Sequence, residues 1–187
     1  MSSRSALKSV CVYCGSRMGD RPEYAEEAAR LGAAIATEGW RLVYGAGDVG
    51  LMGTVARAAQ DGGGDTFGVI PTHLLQMEVG KTDLSRFVVT ETMHERKKVM
   101  LMNADAVVVM PGGPGTLDEF FEVLTWRQLG LHDKPIVLMD VAGYWEPLKA
   151  LLDSVIDHGF AEAPLLDFVQ SGGGAAEAMA LLRRALS

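Results

Sequence analysis

The sequence predicts a single doubly wound α/β domain with a mostly parallel sheet, and three observations carry that prediction. Short apolar, β-prone runs alternate with helix-length stretches along the whole chain. Some of these runs, Ala106-Val107-Val108-Val109-Met110 above all, are apolar throughout, as a strand covered by helices on both faces must be. A chain of 187 residues suits one core, so residues 1–187 read as one domain of Rossmann-like architecture.

In order, Ser9-Tyr13 is the first predicted strand and runs into Cys14-Gly15-Ser16-Arg17, followed by a helix over Glu23-Glu38. The second strand, Arg41-Tyr44, runs into Gly45-Ala46-Gly47 and a helix over Gly50-Asp61. Thr66-Ile70 is the third, and Pro71-Arg86 is too long for a simple connection, which marks it as a substrate loop. Arg86-Thr90 is the fourth, with a helix over Thr92-Asn103. Ala106-Met110 is the fifth, running into Pro111-Gly112-Gly113-Pro114-Gly115-Thr116 and a helix over Thr116-Leu129. Pro135-Met139 is the sixth, followed by a helix over Trp145-His158. Ser171-Gly172-Gly173-Gly174 reads as a hinge before a last packing helix, Ala175-Leu186.

Composition narrows the function. Lys and Arg number 17 against 24 Asp and Glu, a net charge of −7 that repels a nucleic-acid backbone. No stretch is long and apolar enough for a bilayer and no export signal follows Met1, so a cytoplasmic protein without membrane contact is expected. Cys11 and Cys14 are spaced C-x-x-C, but Cys11 sits inside a strand, which favours packing over redox chemistry. His73, His94, His132 and His158 lack metal-ligand spacing, so neither a metal nor a cofactor is expected.

In doubly wound sheets ligands lie beyond the carboxyl ends of the strands, which directs attention to the glycine-rich loops. Gly45-Ala46-Gly47-Asp48-Val49-Gly50 matches G-x-G-x-x-G between a strand and a helix. The next strand, however, ends without the acidic residue that would bind a ribose hydroxyl, so a phosphate loop is favoured over a dinucleotide loop. A packing turn with no ligand stands beside that reading. Gly112, Gly113 and Gly115 ahead of a helix can converge N–H groups on an anion. The absence of Gly-Lys-Ser/Thr excludes a triphosphate P-loop and favours a monophosphate.

Thr116-Leu117-Asp118-Glu119 carries two readings. It matches a capping box, with Glu119 reaching back to the Thr116 N–H. Leu117, Phe120, Phe121 and Leu124 also form an apolar stripe that leaves Glu119 at the helix mouth, and the catalytic reading is favoured. Within Thr92-Asn103, Arg96 and Lys97 flank the apolar line of Met93, Met100 and Ala104. Two cations beside a buried stripe need a counter-charge or a ligand, and the ligand is favoured over buried pairing.

Taken together, Tyr13-Cys14-Gly15-Ser16, Gly50-Leu51-Met52-Gly53, Met93-His94-Glu95-Arg96-Lys97, Pro111-Gly112-Gly113-x-Gly115-Thr116-x-x-Glu119 and Trp126-x-x-Leu129-Gly130 resemble the LONELY GUY (LOG) family over about residues 9–160. The resemblance implies a cytokinin riboside 5'-monophosphate phosphoribohydrolase that also takes adenosine monophosphate and works as a homodimer. It implies that Arg96 and Glu119 are catalytic. It also implies nucleotide contacts at Glu78, Lys97, Gly113, Pro114, Gly115, Thr116 and Thr125. Leu117 and Asp118 of the same motif, with Ser16, Gly45 and Gly47 of the other loops, complete the candidate substrate set. Two positions depart from the family pattern: Ala46 replaces a usual glycine, and Pro114 a residue commonly aromatic or aliphatic.

The mechanism expected is attack of water at the ribose anomeric carbon. An ionised Glu119, favoured by the helix N-terminus, serves as base and stabilises the oxocarbenium-like sugar. Arg96 and the loop amides hold the phosphate. The rivals are a nucleotide sensor or carrier that binds without cleaving and, more remotely, a pyridoxal phosphate decarboxylase using Lys97.

Overall fold

Alternation along the central strand divides the core in two. In β1 (Ser9–Tyr13), Val10 and Val12 face one side of the sheet and Cys11 and Tyr13 the other, all of them buried. The computed structural model describes residues 7–75 and 83–187. From β1 the chain continues through α1 (Pro22–Thr37), β2 (Arg41–Tyr44), α2 (Gly50–Asp61), β3 (Asp65–Pro71) and a short α3 (Thr72–Leu75). It then forms β4 (Arg86–Thr90), α4 (Met93–Met102), β5 (Ala106–Val109), α5 (Pro114–Gln128), β6 (Ile136–Met139), α6 (Glu146–Asp157), β7 (Val169–Gly172) and α7 (Ala175–Ala185).

The strands form one parallel seven-stranded sheet in the order β4-β3-β2-β1-β5-β6-β7. Leu31 and Ile35 of α1, Val55 and Ala59 of α2, and Met179 and Leu182 of α7 pack on the face that carries Val10 and Val12. Met100 of α4, Phe120 and Leu124 of α5, and Leu148 and Leu152 of α6 cover the other. Burial on both faces is why β5 is apolar at every position.

Three expectations are corrected. The Ser171-Gly174 hinge is in part the edge strand β7, whose Val169 and Gly172 pair with Ile136 and Met139. Its residues are half exposed, so no apolar run announces it. Both α1 and α5 begin at a proline, one residue before Glu23 and two before Thr116 as anticipated, because the first helical position needs no N–H donor. Within Pro71-Arg86, the described residues begin as β3 and α3 rather than as loop.

Strand order reverses between β1 and β5, so the loops after these strands diverge and leave a crevice between them. Across its floor the Gly15 N–H donates to the Pro111 carbonyl at 3.0 Å.

Candidate active site

The crevice opens into a cavity of about 630 Å³. Its walls come from the β1–α1 loop (Gly15, Ser16, Arg17), the β5–α5 loop (Pro111 to Thr116), Arg96 of α4, and Tyr24 and Tyr144. Gly112 is glycine of necessity. A Cβ there would collide with the Thr116 hydroxyl and come within 2.9 Å of the Gly15 nitrogen.

Helix α5 points its N-terminus at this cavity. Gly113 is the N-cap and Pro114 the first helical residue, where its missing N–H would have had no helical acceptor. Pro114 therefore costs the helix no hydrogen bond but withholds one N–H from the cradle, and Gly113, Gly115 and Thr116 supply the N–H groups at the helix mouth. This start also removes the capping box. Thr116 is already inside the first turn, and Glu119 lies in the second, too far along to cap.

Glu119 is partly buried, lines the cavity, and has no hydrogen-bond or ion-pair partner among the described residues. Burial pushes its carboxyl up to about 7; Arg96 and Lys97 pull the other way, while Asp118 and Glu122 add to the rise. The expectation that the helix terminus would hold Glu119 fully ionised is corrected. At one turn's remove the terminal field fades, and desolvation wins. A carboxyl poised near neutral pH is suited to moving protons.

The two neighbouring cations of α4 part company. Arg96 is 6% exposed and lines the cavity; its Nε donates to the Val69 carbonyl at 3.0 Å and its Nη2 to the Gly45 carbonyl at 2.6 Å. These bonds fix one edge of the guanidinium against the ends of β2 and β3, leaving other N–H groups for an anion. Lys97 instead donates to Asp118 at 2.9 Å and pairs with Glu122 at 2.8 Å. The ligand reading of Lys97 gives way to buried pairing, since carboxylates of α5 meet its desolvation cost. These partners raise its pKa despite burial and keep it charged. No lysine among the described residues lines the cavity, so a Schiff-base role finds no candidate there.

Of the other predicted positions, Ser16, Gly113, Pro114, Gly115 and Thr116 line the cavity with Arg96 and Glu119. Leu117 packs into the core beneath α5, Asp118 holds Lys97, and Thr125 is exposed further along α5. Glu78 lies outside the described residues. The phosphate-loop reading of Gly45–Gly50 is corrected to a packing turn. The Gly15 carbonyl already accepts the Leu51 and Met52 N–H groups at 3.1 and 3.3 Å, which takes up two of the donors at the α2 terminus. Gly45 and Gly47 are buried and absent from the wall, and a Cβ on Gly45 would collide with the Arg96 guanidinium.

Tyr144 and Tyr24 were not anticipated. Tyr144 follows the sixth strand, so the rule that ligands gather at strand ends could have found it. Tyr24 opens α1, and nothing in its sequence context separates it from a core tyrosine. Cys14 lines the wall too, but burial pushes its thiol well above the ordinary value and leaves it a poor nucleophile.

Comparison with known proteins gives this geometry a context. A family model described as "Possible lysine decarboxylase" matches residues 52–182. The chain is 41% identical over 181 residues to a rice protein (Oryza sativa subsp. japonica) named "Probable cytokinin riboside 5'-monophosphate phosphoribohydrolase LOGL1", covering 97% of this chain and 80% of that one. It is 43% identical over 158 residues to the Arabidopsis thaliana "Cytokinin riboside 5'-monophosphate phosphoribohydrolase LOG7", covering 84% and 73%. Among solved structures, the molybdenum cofactor binding protein of Rippkaea orientalis superposes with a TM-score of 0.76 over 98% of this chain and all of that one. At 22% identity this likeness concerns the fold alone.

Proposed function

The chain belongs to the LOG family of cytokinin riboside 5'-monophosphate phosphoribohydrolases, and from that premise we propose the following chemistry for its cavity. The protein is a hydrolase that cuts the N-glycosidic bond of N6-substituted adenosine 5'-monophosphates, releasing the free base and ribose 5-phosphate. Gly113, Gly115 and Thr116 amides with Arg96 grip the 5'-phosphate. Glu119 takes the proton of the attacking water and offers negative charge to the sugar as the C1'–N bond breaks. The base departs with the bond's electron pair and takes up a proton. The observation that carries this reading is Glu119 itself, a desolvated carboxyl without a hydrogen-bond or ion-pair partner among the described residues, facing the same cavity as a helix N-terminus and a buried arginine.

The test is product analysis of the purified protein incubated with adenosine monophosphate and its N6-isopentenyl derivative. Base and ribose 5-phosphate are expected in equal amounts, and Glu119→Gln is expected to bind nucleotide without releasing base. Nucleotide binding without cleavage by the wild type would replace the enzyme with a sensor or carrier.

The working assembly in this reading is a homodimer in the cytoplasm, acting on a small molecule rather than nucleic acid. The dimer's support is a groove where apolar Met102 of α4 and Leu131 beyond α5, 69% and 68% exposed, flank Trp126 beside the charged Lys98, Asp133 and Lys134. No helix among the described residues is long and apolar enough to cross a membrane. Leu131→Asp is expected to shift the protein to monomer in sedimentation; an unchanged mass would place the dimer contact elsewhere.

A further inference from the structure

We propose that Tyr144 is a positioning residue that aims the Gly113 amide and thereby gives the cavity its preference for 5'-phosphorylated ligands. The inference rests on the phosphate assignment above and deepens it.

The starting observation is that the carbonyls of the β5–α5 loop are held from several sides. The Trp145 indole N–H donates to the Val109 carbonyl at 3.3 Å, Gly15 N–H to that of Pro111 at 3.0 Å, and the Tyr144 hydroxyl to that of Gly112 at 2.6 Å. A peptide unit is planar and trans, so its C=O and the following N–H point in opposite directions. Fixing the Gly112 carbonyl on Tyr144 therefore fixes the direction of the Gly113 N–H. Gly112 and Gly113 carry no side chains to resist rotation of this plane, so without the tyrosine hydroxyl the unit is free to turn. A cradle that binds an anion through backbone N–H groups loses a donor when one plane turns.

The loop that presents Tyr144 is built to hold one shape. Ala142 and Gly143 are both left-handed, with φ of 54° and 74°, and for an alanine this costs about 1 kcal/mol. Asp140, 9% exposed, offsets the strain by accepting from the Trp145 N–H at 2.7 Å and from Lys149 Nζ at 2.6 Å. Those donors hold its carboxyl below the usual range against the opposing effect of burial. The tyrosine ring meets Tyr24 and Trp145 edge-on, with centroids 5.7 and 4.7 Å apart. Backbone strain, a buried carboxylate and two ring contacts thus converge on the placement of a single hydroxyl.

Tyr144→Phe removes that hydroxyl and keeps both ring contacts, so the variant is expected to fold with an unchanged melting temperature. Calorimetric titration with ribose 5-phosphate and with adenine separates the phosphate end of the cavity from the base end. Ribose 5-phosphate is expected to bind about five- to tenfold more weakly to the variant, the worth of one well-made hydrogen bond. Adenine binding is expected to be unchanged, and turnover of adenosine monophosphate to lose efficiency through KM with kcat nearly preserved. Equal ribose 5-phosphate affinity in the two proteins overturns the inference, as does an equal loss for both ligands, which would make Tyr144 a wall residue only. If wild-type protein binds ribose 5-phosphate but releases no base, the hydrolase reading fails while the tyrosine's role stands. If wild-type protein does not bind ribose 5-phosphate, both fall.

Discussion

Replacing Glu119 by Gln removes one titratable group and little volume, so it isolates the energetic cost of that group's burial. In the folded protein the carboxyl sits at about 7, against 4.5 for an unperturbed glutamate. That difference is worth about 3 kcal/mol between the two protonation states. Between those two pH values the folded state binds more protons than the unfolded chain, so stability falls as pH rises through the window. The contribution is fully present below 4.5 and lost above about 7. Domains of this size lose roughly 2–4 °C per kcal/mol, so wild type should drop by about 6–12 °C more than Glu119→Gln between pH 4.5 and 8. Thermal unfolding of both proteins across that range, in the absence of nucleotide, measures the difference directly, because every other group titrates alike in the two. Parallel curves would refute the reasoning, since they would mean that Glu119 titrates as if it were in water. The same ionisation should appear in turnover as a limb rising through about pH 7 if Glu119 is the base; a limb falling there would make it the acid.

Substitutions at three further positions probe the rest of the site. Arg96→Ala leaves the Val69 and Gly45 carbonyls without their donor, which should cost about 1–3 kcal/mol of stability each beyond the loss of turnover. Arg96→Lys cannot serve both carbonyls and an anion, so denaturant unfolding and kinetics should both report a deficit, and wild-type behaviour in either would refute the assignment. Lys97→Met strips a cation that lowers the Glu119 pKa while Asp118 and Glu122, which raise it, remain. The activity limb should move to higher pH with nucleotide affinity nearly kept, whereas an unmoved limb with lost affinity would restore Lys97 as a ligand. Gly112→Ala should abolish calorimetric binding of adenosine monophosphate by forcing Thr116 and Gly15 apart, and binding within twofold of wild type would show the loop more yielding than its packing implies.

Much of the fold was legible because double-sided burial leaves a mark on composition. Ala106–Val109 could be read as a central strand from its own residues. The edge strand β7 could not, since Val169-Gln170-Ser171-Gly172 is half exposed and its pairing partners lie more than thirty residues upstream. At the site, Gly113, Gly115, Thr116 and Glu119 were legible as a motif whose parts lie within one loop and one helix. The partners of Arg96 and Lys97 were not. One donates to carbonyls on β3 and in the loop after β2, and the other pairs with carboxylates on α5, and helical spacing shows only that both need something. The pKa of Glu119 was misjudged for the same reason: its largest cause is burial, which depends on the packing of other elements.

The two departures from the family pattern are both absorbed by backbone geometry. Pro114 occupies the first position of α5, where a proline suits the required φ and forfeits no helical hydrogen bond. Ala46 adopts a φ of 58° and is fully buried. Its methyl lies against Gly68 of β3, where a second Cβ would come within 2.8 Å of it. An alanine in the turn thus requires a glycine on the neighbouring strand, while Ala46 itself takes no part in the cavity wall. The methyl group therefore leaves the loop carbonyl that holds Arg96 in place, and a change at Gly68 should disturb the arginine even though Gly68 touches no part of the cavity wall.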